Sequence, residues 1–214
     1  MNNTIWSQNM LKNEPSQQKL ENAVEMMLNA FLGDKAEYTQ EKTIKLFCES
    51  IRDLENALLH KFEIHPHNLD YQKVISNKEN YLNKYRQVEQ VIDNEITLQS
   101  KRFNTLLTEG DELPVTEFKV EFINKEIQKE IEDKIQFFLD MPLSDKSDEV
   151  KQAFKECYTL PMKHLEESCL YSRGIHPEQN PNLTSDDYKE KQMEVEKILK
   201  SELSRHQRLF IHVL

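Results

Sequence analysis

The sequence predicts an all-α protein that consists of two tandem three-helix units. Six segments carry apolar residues at spacings of three and four, which is the period of one face of an α-helix. Only 3 of the 214 residues are glycine, which disfavours folds that need many tight turns or phosphate-binding loops. Segments of the second half also resemble segments of the first, so we expect one three-helix unit to occur twice.

The first predicted unit covers residues 16–108 and contains three amphipathic helices. Because Pro66 disfavours helical backbone at the residue before it, the second helix is expected to end at Ile64, and Pro177 likewise predicts an end at Ile175 for the middle helix of the second unit. The apolar stripes are Leu20, Val24, Met27 and Phe31 in the first helix, Ile44, Phe47, Ile51, Leu54 and Leu58 in the second, and Val74, Tyr81, Tyr85, Val88, Ile92, Ile96, Phe103 and Leu107 in the third.

A linker at residues 109–114 separates this unit from the second, at residues 115–214. Gly110 and Pro114 interrupt the helical pattern there. Pro161 falls inside the middle helix of the second unit, which we expect it to kink or split. The apolar stripes are Ile127, Ile131, Ile135 and Phe138, then Tyr158, Met162, Leu165 and Cys169, then Val195, Leu199 and Leu203.

The repeat is clearest where the middle helix of each unit ends. Leu54-Glu55 and Ile64-His65-Pro66 recur as Leu165-Glu166 and Ile175-His176-Pro177, always 111 positions later. The first helices align at a shift of 107, with Leu20 opposite Ile127 and Phe31 opposite Phe138. This alignment puts four extra residues, 141–144, into a loop of the second unit. We interpret the pattern as an ancient tandem duplication.

Residues 1–15 are expected to form a flexible amino-terminal arm. The arm contains Trp6, which is the only tryptophan, and it either folds back on the bundle, stays disordered or docks on a partner. The first residues lack the features of a Sec signal peptide, and no run approaches the ~18 apolar residues that a membrane span requires. We therefore expect a cytoplasmic protein without a membrane span, while export by another route stays open.

The charge balance points to some partners and away from others. The 28 basic and 38 acidic residues give a formal net charge of −10. Nucleic-acid binding depends on basic side chains that neutralise phosphates, so no nucleic-acid partner is expected. The acidic surface suits another protein with a basic surface, or serves only to keep the chain in solution.

The sequence contains no catalytic or metal-binding signature. Cys48, Cys157 and Cys169 lack a CxxC spacing, so they are expected to be buried thiols in a reducing compartment. The seven histidines form no HExxH motif and no Glu-x-x-His motif of the kind found in di-iron bundles. We therefore predict no catalytic residues, no metal and no cofactor.

A small set of side chains is left as candidates for partner or ligand binding. Apart from Trp6 they are His65 and His67, which flank Pro66, then His176, Tyr81 and Tyr85. The simpler interpretation is that His65 and His176 cap helix ends and that the tyrosines pack in the core.

The leading functional hypothesis is a non-enzymatic protein-interaction module, such as a scaffold, an adaptor or an inhibitor. One alternative is a helical-bundle enzyme or small-ligand binder, in which His65, His176, Tyr81 or Tyr85 converge in a pocket between the units. Another alternative is a bacterial effector that is exported to engage a host protein.

Overall fold

The prediction of an all-α fold is confirmed. A computed structural model describes residues 10–69, 71–109, 118–181 and 186–214, and within these residues all regular secondary structure is helical. The helices are α1 (Glu14–Met27), α2 (Glu37–Lys61), α3 (Tyr71–Ser76), α4 (Lys78–Thr108), α5 (Lys125–Asp140), α6 (Asp148–Ser172) and α7 (Asp186–Val213). A π-helical turn (Leu28–Leu32) extends α1, and a 3₁₀ turn (Pro66–Asn68) follows α2.

Helices α2 and α6 lie side by side and share the most extensive interhelical contact in the bundle. Midway along the pair, Ser50 Oγ lies 3.2 Å from His164 Nδ1. Near the end of both helices, Lys61 Nζ lies 5.8 Å from the ring centroid of Tyr171. Because contacts join corresponding parts of the two helices, α2 and α6 run parallel.

The other long helices cover this central pair. Helix α4 packs against both α2 and α6, and α7 also packs against both. Helix α1 packs on α4, and α5 packs on α6 and α7. The two predicted units therefore pack together around one hydrophobic core, which includes the buried rings of Phe47, Phe103, Phe154, Tyr158 and Phe210.

The first helix of each half begins with the same set of contacts. Asn13 accepts a hydrogen bond from Ser16 N at 3.0 Å, and Asn124 accepts one from Ile127 N at 3.1 Å. A buried glutamate from the neighbouring helix accepts the backbone N–H of each cap, Glu55 at 2.8 Å from Asn13 N and Glu166 at 2.8 Å from Asn124 N. These carboxylates tie the start of α1 to α2 and the start of α5 to α6.

Both middle helices end three residues earlier than the sequence predicts, at Lys61 and Ser172 rather than at Ile64 and Ile175. The reason is a left-handed residue after each helix, Glu63 with φ 58° and Gly174 with φ 65°. In the first case, Ile64 N donates to Leu59 O at 2.9 Å, and Ile175 N makes the matching bond to Leu170 O at 3.0 Å. This Schellman pattern satisfies the last carbonyls of the helix before the proline is reached.

Of the two outcomes expected at Pro161, a kink or a split, the split does not occur, because α6 is continuous from Asp148 to Ser172. A proline deprives the carbonyl four residues earlier of its helical partner. That carbonyl belongs to Cys157, and the ring of His206 on α7 is hydrogen-bonded to it. A neighbouring helix therefore replaces the donor that α6 lacks.

The matching contacts also correct our alignment of the two halves. The asparagine caps Asn13 and Asn124, and the glutamates Glu55 and Glu166, are each 111 positions apart, so α1 matches α5 at 111 and not at 107. In α4 and α7 the buried residues match at 107, as Val88 with Val195 and Phe103 with Phe210 do. The four additional residues therefore lie in the first half, between its middle and last helices. These repeated contacts support the duplication, which stays a prediction.

The amino-terminal residues are described from Met10 onward, and Leu11 is buried against the core. Trp6 and most of the predicted linker lie outside the described residues. Among the helices that the structure describes, none has the length and apolar character that a membrane crossing requires.

Candidate functional site

A groove opens at the end of the bundle where α2 and α6 both terminate and α4 begins. We call the turns at residues 61–68 and 172–179 the first and second corner, and the space between them the corner groove. It has a volume of about 790 Å³ and is open to solvent. Both halves of the chain line it, with His60, His65, Tyr81 and Lys84 on one side and Tyr171 and Arg173 on the other.

The corner proline and the neighbouring rings hold His65 in place. His65 has extended backbone (φ −66°, ψ 130°), as Pro66 requires, and its ring stacks on that of His60 with centroids 4.0 Å apart. Its Nδ1 atom accepts a hydrogen bond from His67 N at 3.3 Å. Burial and the nearby charges of His60, Lys12 and His67 lower the pKa of His65 to about 4. The ring is therefore neutral at physiological pH, with its proton on Nε2.

The second corner repeats this arrangement with one ring replaced. His176 stacks on Tyr171 with centroids 3.8 Å apart, and its Nδ1 atom accepts a hydrogen bond from Glu178 N at 3.2 Å. Burial lowers the pKa of His176 as well. His65 and His176 thus lie just after the two helix ends. Each ring stabilises its corner by accepting a hydrogen bond from a backbone N–H group.

Two basic side chains in the groove bind the carboxyl ends of the central helices. Lys84 Nζ donates to Phe62 O, the cap of α2, at 2.9 Å. Arg173 Nη1 donates to Cys169 O in the last turn of α6 at 3.3 Å. These cations complement the negative ends of the two parallel helix dipoles. Glu63 is the one acidic residue among the described residues that line the groove.

The structure brings together some of the residues that we selected from the sequence. His65 and Tyr81 both line the corner groove, and His67 lies beside it with its ring centroid 5.1 Å from that of His65. Tyr85 stacks behind Tyr81 and donates from Oη to Lys12 O at 3.2 Å, outside the lining. His176 lies under Tyr171 in the second corner and does not line the groove.

Lys84, Tyr171 and Arg173 are groove residues that the sequence analysis missed. Their positions in the sequence give no sign that they line one groove, because α4 and the end of α6 come together only through tertiary packing. The repeat offered one usable signal, because Arg173-Gly174 occupies the place of Phe62-Glu63, one residue before the second His-Pro pair.

A second surface feature, which we call the α5 groove, runs beside α5 and the segment that precedes it. Its volume is about 520 Å³. Its lining is mainly apolar and includes Phe118, Val120, Phe122, Ile131, Ile135 and Leu139. The last three recur at intervals of four along α5, so they form one stripe, of which Ile135 and Leu139 are only half-buried.

The three cysteines are free and buried. Burial raises the pKa of the Cys48 and Cys157 thiols far above its ordinary value, and it also raises that of Cys169. These thiols stay protonated at neutral pH and are poor nucleophiles. Among the described residues, no group of three or more histidine, cysteine or acidic side chains is arranged to hold a metal ion.

Comparison with known proteins gives no relative from which a function could be transferred. No protein-family model, no curated protein and no solved structure matches this chain.

Proposed function

We propose that this protein is a non-enzymatic protein-interaction module and that it binds an apolar segment of its partner in the α5 groove. The observation that carries the proposal is the half-exposed apolar stripe of Ile135 and Leu139 facing Phe118 and Val120. A groove of this kind suits the apolar face of an amphipathic helix. The filled core and the protonated thiols support a binding role rather than a catalytic one.

The same proposal includes a partner with a basic surface and a cytoplasmic location. The net charge of −10 would speed the approach of a positively charged partner. Free cysteines in all three positions are consistent with a reducing compartment.

Selection of displayed peptides on the purified protein tests the proposal. We expect the selected peptides to carry apolar residues at helical spacing, and Phe118→Ser to weaken their binding about tenfold. Phe137→Ser is the matched control, because Phe137 is exposed on α5 outside the groove. Peptides that bind both variants equally well would contradict the assignment of the groove.

The lining of the corner groove favours a second candidate function, the binding of a small molecule. Its histidine and tyrosine rings and its basic groups offer the few convergent polar contacts that small-molecule sites use. Asn80→Trp should fill the mouth of the groove and abolish stabilisation by any ligand found in a thermal-shift screen. Asn29→Trp, on the π-helical turn at the other end of the bundle, should leave that stabilisation unchanged.

A further inference from the structure

We propose that the corner groove binds small molecules through an anionic group, a phosphate or a carboxylate. This inference rests on the second candidate function and specifies the chemistry of its ligand. It is independent of the α5 groove.

The first argument is the free donor on His65. The residue is 4% exposed, and its Nδ1 atom is occupied as an acceptor. The proton therefore resides on Nε2, which is not one of the buried atoms that lack a partner among the described residues and for which no hydrogen bond is found there. This N–H group is therefore accessible from the groove and can donate a hydrogen bond to a ligand.

The second argument is the start of α4 on the same groove. Asn77, the residue before the helix, makes no capping hydrogen bond with its side chain. Asn77 and Asn80 both line the groove, so the first turn of α4 borders it. The backbone N–H groups and the positive end of the helix dipole in such a turn attract anions.

The third argument is that the groove has more donors than acceptors. The carbonyls of Phe62 and Cys169 already accept from Lys84 and Arg173. Arg173 also pairs with Glu194, with Nε 3.7 Å from Oε2. An ammonium group has three N–H donors and a guanidinium has five, so both cations still keep donors for a ligand. Glu63 is the one carboxylate among the described lining residues, and Glu194, the ion-pair partner of Arg173, does not line the groove.

The size of the groove indicates that the anion is one end of a larger molecule. A volume of about 790 Å³ lies within the range of drug-sized sites and far exceeds a single phosphate. The half-buried ring of Tyr81 provides a surface for an aromatic or apolar remainder.

Nuclear magnetic resonance of the full chain tests this inference with phenyl phosphate and benzoate as probes, which also separate the two kinds of anion. Sodium chloride at equal ionic strength is the reference. We expect a saturable shift of the His65 ring signals and a rise of about one unit in the His65 pKa, because a bound anion favours the protonated ring. Lys84→Met or Arg173→Met should weaken binding about tenfold. Lys129→Met, at an exposed site on α5, should not.

The inference is overturned if neither probe gives a saturable shift, or if Lys129→Met weakens binding as much as Lys84→Met does. Thermal unfolding of each variant verifies that it folds. If a neutral or cationic compound binds in a manner that Asn80→Trp blocks, the groove remains a ligand site and only the anionic chemistry is wrong. If no compound shows that behaviour, the second candidate function fails as well.

Discussion

His206 illustrates how one side chain compensates for a defect in another helix. Pro161 leaves the Cys157 carbonyl without its helical donor, and the ring of His206 bonds to that carbonyl. The ring is 2% exposed, and its Nε2 atom has no partner among the described residues, so Nδ1 is the donating atom. The corresponding position of the first half holds Gln99, another buried side chain that can donate a hydrogen bond.

This pairing predicts that the effects of mutations at positions 206 and 161 are coupled. His206→Leu leaves the Cys157 carbonyl unsatisfied and should reduce the free energy of unfolding by about 1–3 kcal/mol. In a Pro161→Ala background the new N–H of residue 161 bonds to that carbonyl, so the same substitution should cost about 1 kcal/mol less. Chemical denaturation of the four proteins measures the coupling. Additive effects would show that the carbonyl does not link the two residues.

Buried histidines should make the protein sensitive to mild acid. Burial lowers the pKa of His164 and His206 to about 4, against about 6.5 in the unfolded chain. As the pH falls below 6.5, these two histidines take up protons in the unfolded state but not in the folded state, so their contribution to stability declines until about pH 4. For a shift of this size the loss is at most about 3 kcal/mol for each ring.

The contribution of His206 can be isolated with His206→Gln, which keeps a donor for Cys157 O and resembles Gln99. Burial also raises the pKa of several carboxyl groups, such as the buried Glu55 and the half-buried Glu95, and these groups change stability in the opposite direction. The stability of His206→Gln must therefore be compared with that of the wild type at each pH. We expect the free energy of unfolding of His206→Gln to rise relative to that of the wild type as the pH falls from 6.5 to 4. Parallel stability curves would show that His206 titrates normally.

At the scale of the helices, the two corners provide a matched pair of left-handed residues. Glu63 adopts φ 58° and Gly174 adopts φ 65° at corresponding positions. A side chain in this conformation costs about 1 kcal/mol, which glycine avoids. Around Gly174 an added Cβ would meet no atom within 4 Å, so only backbone strain opposes a side chain there.

We therefore expect Glu63→Gly to stabilise the protein and Gly174→Ala to destabilise it, each by about 0.5–1 kcal/mol. Urea denaturation measures both changes. Glu25→Gly, on an exposed position in the interior of α1, is the control and should be destabilising by about 1 kcal/mol. A loss of stability in Glu63→Gly would mean that its side chain makes interactions that outweigh the strain.

The sequence predicted the helices well because their stripes depend on local periodicity. The same periodicity explains the error in the repeat alignment. A shift of four residues is close to one helical turn, so Leu20 aligns about equally well with Ile127 and with Ile131. Only the capping contacts of Asn13 and Asn124 distinguish the two alignments. The early end of α2 was missed because a left-handed glutamate has no sequence signature.

Prediction of the candidate site was partial for a similar reason. His65 and Tyr81 were selected because the His-Pro pair and the aromatic stripe are visible in one dimension. Lys84 and Arg173 are 89 positions apart in the sequence, and they border the same groove only because α2 and α6 end side by side. That parallel arrangement follows from the packing of the two halves, which no periodicity encodes.

At the scale of the whole molecule, each half depends on the other for burial of its central helix. Helix α2 is covered on one side by α6, and α4 packs on α6 as well as on α2. Ion pairs follow the same pattern, because Arg102 on α4 contacts Glu156 on α6 and Arg205 on α7 contacts Glu49 on α2. Separating the halves would expose the apolar faces of all four helices.

This interdependence predicts that neither half is stable as a monomer. Fragments 1–114 and 115–214, purified separately, should show reduced helical circular dichroism and no cooperative thermal transition, because the α2–α6 interface is absent. Mixing the two fragments should restore the helical circular dichroism and the cooperative transition, since the same apolar faces are then buried again. The control is the full chain with a protease site in the 110–117 segment, which should keep its transition after cleavage. A single fragment that melts cooperatively as a monomer would show that one half is an independent domain and that the shared core is not required for folding.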